Sequence, residues 1–228
     1  LFDLPLVDQH NAVGHFHRFI LIVGHKDGRY MQFIVPGLIM MAVITNSYSN
    51  VVSSFYSVKF QRSIEELLAS PVPAHVILMG YVVGGVARGL MVGLIVTLLS
   101  MFFTDISLHH ALITVFTVLV TAILFSLGGF INAVYARSFD DISIVPTFVL
   151  TPLTYLGGVF YSMDQLSPFW QNLSLLNPIV YMVNAFRYGI LGHSDVNVAL
   201  SLAAISLCCA GLYGYAHALL RRGTGMRE

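Results

Sequence analysis

The chain has 228 residues, 57% of them hydrophobic and 10% charged, and its formal net charge is zero. A soluble domain carries about a quarter charged residues, so this much apolar surface has to face lipid, and the chain reads as an all-α polytopic membrane protein. Zero net charge gives no electrostatic basis for nucleic-acid binding. Cys208 and Cys209 are adjacent in an apolar run, point different ways on a helix, and argue against a disulfide or a metal pair.

Residues 1–29 form an atypical N-terminal segment, read as a first span that is missing or altered. Asp3, Asp8, Asp27, Arg18, Lys26 and Arg29 are spread through it with His10, His15, His17 and His25. The apolar piece 16–23 is broken by His17 and Arg18 and is too short to span. The histidine spacing fits no strong metal template, and no metal is expected.

Five stretches are long and apolar enough to cross a bilayer: 33–57, 76–103, 111–136, 144–161 and 196–220. The first carries Asn46, Asn50, Ser53, Ser54 and Ser57, which fall on one helical face. In lipid such a stripe is expected to look inward, as a helix interface bordering a conduit.

Next comes KFQRSIEELLASPVP, residues 59–73. Ser63 followed by Glu66 makes a capping-box pattern, and Pro71 and Pro73 end the helix. Ile64, Leu67 and Leu68 share one face, and Glu65 and Glu66 begin the other. Barely two turns long, the helix cannot be stable alone and needs the flanking spans or a partner. An interfacial turn and a protein-docking helix are both compatible with the residues.

In the second span Gly80 and Gly84 repeat at four residues, as do Gly85, Gly89 and Gly93. Such spacing lets helices approach closely, and packing within the chain is favoured over a dimer seam. Arg88 lies roughly 18 Å along this helix at ~1.5 Å per residue, too deep for easy snorkelling. Facing lipid there costs at least ~2.5–3.5 kcal/mol, so a polar cavity or a neighbouring helix is expected beside it. A pathway residue and a structural pair fit equally well. His109 and His110 fall in a short turn and read as solvated. Residues 162–192 are apolar but interrupted by Pro168, Asn172, Asn177, Pro178, Asn184 and Arg187, which suits interfacial or re-entrant helices.

Every Asp and Glu lies in a loop or at a span end, which counts against an ion-coupled secondary transporter or channel. The only lysines, Lys26 and Lys59, sit in no Gly-rich turn before Ser or Thr, so no P-loop exists. No nucleophile and base set argues for a membrane enzyme. Lys59, Arg62, Arg137, Arg221, Arg222 and Arg227 gather on one side against Arg187 on the other, which puts the C-terminus in the cytoplasm.

Three runs carry a resemblance: FIVPGLIMMAVITNSYSNVVSSF, FQRSIEELLASPVPAHVILMGYVVGGVARGL, and SFDDISIVPTFVLTPLTYLGGVFYSMDQLSPFWQNLSLLNPIVYMVNAFRYGILG. They closely resemble the ABC-2 family of transporter permeases, the last being similar to its C-terminal signature. The likeness covers about residues 30–222, leaving 223–228 as a cytoplasmic tail. It implies six spans per subunit, a permease homodimer in the lipid of a bacterial inner membrane, and export driven by two copies of a separate ATPase subunit. ATP and Mg would be bound by that partner and no cofactor by this chain. The resemblance implies that Arg62, Ser63, Ile64, Glu65, Glu66, Leu67 and Leu68 belong to the ATPase-coupling helix. It also implies outer re-entrant helices over 162–192. There Asn177 and Pro178 suit an N-cap and first turn, and Tyr161, Trp170, Tyr181 and Tyr188 suit an interfacial belt.

Overall fold

The computed structural model describes residues 28–64, 66, 71–102, 104, 108–161 and 166–223. Among them the regular elements are all helical, as composition and apolar run length require. They are α1 (Gly28–Phe60), α2 (Ala74–Ser100), α3 (Ala111–Tyr135), α4 (Phe139–Ile144), a π-helical turn (Val145–Leu150), α5 (Thr151–Tyr155), α6 (Pro168–Ser174), α7 (Pro178–Leu191) and α8 (Val198–Arg222).

Four described helices are long and apolar enough to cross a membrane: Met31–Phe60, Ala74–Ser100, Ala111–Tyr135 and Val198–Arg222. The expected fourth span, 144–161, is different. Its helical path starts earlier, at Phe139, and stops at Tyr155, a length of about 25 Å at ~1.5 Å per residue. The cause is local. Pro146 and Pro152 lack N–H donors, and Pro146 O accepts from Thr151 N–H five residues on rather than four. Past Tyr155 the chain turns through Gly158, whose φ of 73° is costly for any residue with a Cβ.

α1 is the central helix and packs against α2, α3 and α7. Its inward face is Ile39, Met40, Val43, Ile44, Val51 and Phe55, all essentially inaccessible. The Phe55 ring meets Phe130 of α3 at 4.4 Å and Tyr81 of α2 at 5.1 Å. Lipid is as apolar as these side chains, so association rests on close packing rather than on escape from water. Gly85 and Gly89 supply that closeness. A Cβ at Gly85 would collide with Ser126 and Val51, and one at Gly89 with Ser47.

α7 is buried nearly all round, with Ile179, Met182, Val183, Asn184, Phe186 and Arg187 out of contact with solvent. At about 21 Å it is too short to cross a bilayer by itself.

Candidate functional site

The basic residues meet at one end of the bundle. Lys59, in the last turn of α1, donates from Nζ to Val134 O and Ala136 O, both at 2.8 Å. These are terminal carbonyls of α3, where a cation also suits the helix dipole. The hydroxyls of Tyr135 and Tyr215 bond each other and bring the far half of α8, with Arg221 and Arg222, to the same end.

The loop leaving this end begins with α1 stopping at Phe60. Gln61 N–H bonds Ser57 O and Arg62 N–H bonds Lys59 O, each at 3.0 Å. Arg62 adopts φ 60°, the left-handed region. That is the conformation of a helix C-cap, where glycine is usual and arginine is strained. Arg62 and Ser63 are exposed in the turn. Ile64 is 3% exposed and joins the core beneath. Glu66 is exposed and helical. Among the described residues of this loop, Ile64 is fastened in the core while Arg62, Ser63 and Glu66 face outward. Glu65, Leu67 and Leu68 lie outside the described residues.

Across the same end, α4 starts with a reciprocal cap. Asp141 N–H donates to Ser138 Oγ at 3.2 Å, and the Asp141 carboxylate accepts from Arg137 N–H at 2.8 Å and Ser138 N–H at 3.1 Å. The backbone N–H of Arg137, with the other Ser138 bonds, holds this carboxyl below the usual carboxylate range. Phe139 sets its ring edge-on to Tyr56 at 4.9 Å and packs on Phe60 at 5.0 Å.

The polar stripe of α1 does not look into the chain's own core, contrary to the expectation above. Ser53 is exposed, and Asn46 and Asn50 are half-buried. Asn46 donates to Ala42 O at 2.9 Å and Ser53 to Ser49 O at 2.7 Å. Asn46 and Ser53 are thus satisfied by carbonyls of their own helix and need no facing helix to be tolerated. Arg88 shares this outward face. It is exposed on α2, and no hydrogen bond or ion pair joins it to another described residue. The two glycine series divide accordingly. Gly85, Gly89 and Gly93 are buried against α1, whereas nothing lies within 4 Å of a Cβ at Gly80, and one at Gly84 would meet only Asn50 Oδ1 at 3.7 Å. Asn46, Asn50, Ser53, Gly80, Gly84 and Arg88 are therefore one open polar face at mid-helix depth.

At the opposite end, Asn177 caps α7. Its Oδ1 accepts from Ile179 N–H at 3.0 Å and its Nδ2 donates to Leu153 O at 2.6 Å, with Pro178 in the first turn. Tyr181 donates to Leu175 O at 2.8 Å. Trp170 stands half-exposed on α6 and lines an apolar cavity of about 320 Å³ with Leu153, Leu156, Leu173, Ser174, Leu176 and Asn177. Arg187 is 2% exposed. Its Nη2 donates to Gly158 O at 2.7 Å, and its guanidinium carbon lies 3.7 Å from the centre of the Phe33 ring. It ties α7 to α1 and to the turn after α5. His109 and His110, read as solvated, are exposed but fixed. A ring nitrogen of His109 bonds Ile190 O at 2.8 Å, and the His110 ring stacks on Tyr188 at 5.0 Å. Sequence gave no sign of either Lys59 or His109 as a link, because both act on backbone carbonyls.

Four helices long and apolar enough to cross a membrane, packed with a broken helix and a short buried one, make the architecture of a multi-pass membrane protein. The chain belongs to the ABC-2 type transporter family, whose pattern matches residues 11–191. It is 59% identical over 199 residues to the inner membrane transport permease YadH of Escherichia coli (strain K12), covering 87% of this chain and 78% of that protein. It is 26% identical over 209 residues to nodulation protein J of Rhizobium meliloti (strain 1021), covering 89% and 78% respectively. Nodulation protein J of Neorhizobium galegae is 25% identical over 205 residues, again with 89% and 78% covered.

Proposed function

We propose that this chain is the permease subunit of an ATP-driven exporter in a bacterial inner membrane, with hydrolysis supplied by a separate ATPase subunit. The family match over residues 11–191 carries this reading. The lack of a P-loop in the sequence supports it further, since an ABC-type transporter needs a nucleotide site and this chain has no lysine placed to make one. The chain's similarity to YadH, an inner membrane transport permease, supports the location.

In this reading the basic end of the bundle faces the cytoplasm and the C-terminus lies there. Two ATPase subunits bind ATP and Mg and dock on residues 61–73 of two permease copies. Arg62, Ser63, Glu65 and Glu66 meet the partner, while Ile64 holds the loop to the spans. The open face bearing Asn46, Asn50, Ser53 and Arg88 borders the conduit between copies, which gives Arg88 the polar surroundings that lipid cannot. Trp170, Asn177, Pro178, Tyr181 and Arg187 build the outer closure. ATP binding draws the ATPase pair together, and the loop passes that movement to the helices, switching access between the two sides.

The test is ATP hydrolysis in lipid nanodiscs. The purified chain alone should hydrolyse no ATP, and the complex with its co-expressed ATP-binding subunit should hydrolyse it. Hydrolysis by the chain alone, or failure of any ATP-binding subunit to co-purify, would refute the reading.

A further inference from the structure

Lys59 bonds the end of α3, which lies more than seventy residues further along the sequence. Its ammonium uses two of three donors on Val134 O and Ala136 O. On its own helix it stands directly before the loop: Arg62 N–H is bonded to Lys59 O at 3.0 Å. On the far side Ala136 leaves α3 in extended conformation. The next two N–H groups, of Arg137 and Ser138, both end on the Asp141 carboxylate of α4. A continuous chain of bonds thus runs from the loop, through Lys59, to the first turn of α4.

Three further observations fit a path that moves. The loop side is strained at Arg62 by its φ of 60°, and strain of this kind gathers at switch regions. Phe139, beside the cap, packs edge-on against Tyr56 and Phe60 on either side of the Lys59 turn. The receiving helix carries the π turn Val145–Leu150, and such turns mark functional sites in helices. Returning it to the α pattern exchanges local bonds at Pro146 O and needs no chain breakage.

We infer that Lys59 is a positioning residue that carries movement at the turn Gln61–Ile64 into the helix from Phe139 to Tyr155, and this rests on the ATP-driven reading above. Ile64, buried in the core, holds this turn against the bundle, Lys59 passes the displacement to the α3–α4 junction, and Asp141 and Phe139 pass it to the broken span. The π turn then converts a push at Phe139 into a change at Tyr155.

The complex with its ATP-binding subunit tests this, in a Cys208→Ser, Cys209→Ser background that removes the two free cysteines. One reporter is Gln61→Cys in the loop, and a separate one is Tyr155→Cys at the far end of the helix. Maleimide labelling rates are compared without nucleotide and with MgATP plus vanadate. Both reporters should change rate in the parent, by roughly fivefold or more if coupling has its usual size. In Lys59→Met the change at position 61 should persist and the change at 155 should fall to none. Lys59→Arg should restore it, because a guanidinium also donates to carbonyls. Phe139→Leu, at a half-exposed site, should reduce the change at 155 even if Lys59→Met fails to insert. A full change at 155 in Lys59→Met or in Phe139→Leu would overturn the role of this joint while leaving the ATP-driven reading intact. No change at 61 in the parent complex would overturn both.

Discussion

Replacing Arg187 with methionine removes a buried charge and keeps most of its packing stem. The guanidinium is 2% exposed, donates one bond of 2.7 Å to Gly158 O and sits 3.7 Å from the Phe33 ring centre. A hydrogen bond to a charged group contributes about 1.5–3 kcal/mol, and a desolvated cation–π contact about 2 kcal/mol. The Asp195 carboxylate adds a smaller attraction. Against these, Nε and Nη1 are buried without a hydrogen-bond partner, which costs about 1–3 kcal/mol each. Holding the cation away from water costs several kcal/mol more. The costs equal or exceed the gains. Arg187→Met should therefore leave stability at or above the parent level. Arg187→Lys keeps the charge but loses the planar fork and the stacking on Phe33, so it should be the less stable of the two. The assay is thermal unfolding in nanodiscs, followed by the fluorescence of Trp170, the single tryptophan. Transport by Arg187→Met should fall, because the tie between α7 and the turn after α5 is gone. An Arg187→Met protein less stable than Arg187→Lys would refute this weighing of burial against bonding.

A Cβ at Gly129 would sit 2.5 Å from the backbone oxygen of Tyr48, whereas one at Gly84 meets only Asn50 at 3.7 Å. Gly129→Ala should lower stability by about 1–3 kcal/mol through overpacking, and Gly84→Ala should leave the stability of the single chain unchanged, both measured by thermal unfolding. Arg88→Leu should reduce transport per inserted molecule more than it reduces expression, read by flux normalised to membrane content. Unaltered flux would make Arg88 structural only.

Much of the fold is legible because lipid imposes simple lengths. Uninterrupted apolar runs of the right size become α1, α2, α3 and α8, and Asn177 before Pro178 marks the start of α7. The run 144–161 misleads because apolar content survives where the backbone ladder does not. The Ser138 cap starts the helix early, Pro146 and Pro152 disturb its ladder, and the turn at Gly158 ends its path. The direction of the α1 stripe is illegible for another reason. Asn46 and Ser53 bond carbonyls of their own helix, so a polar side chain there does not have to face the core. Lys59 reads in sequence as a topology signal, and its bonds to Val134 and Ala136 depend on how α3 ends beside it. Arg187 reads as a lone outer cation, yet its neighbours Phe33 and Gly158 are far away in the chain.

The most direct measurement of the central claim is a site-specific photocrosslink from Glu66, an exposed position on the fastened loop. A photoreactive residue at 66, activated in intact membranes, should capture an ATP-binding subunit. Charge reversal at Glu65 should reduce that yield while membrane insertion stays unchanged. Capture of lipid alone, or an ATP-binding subunit that crosslinks only from another face of the bundle, would contradict it.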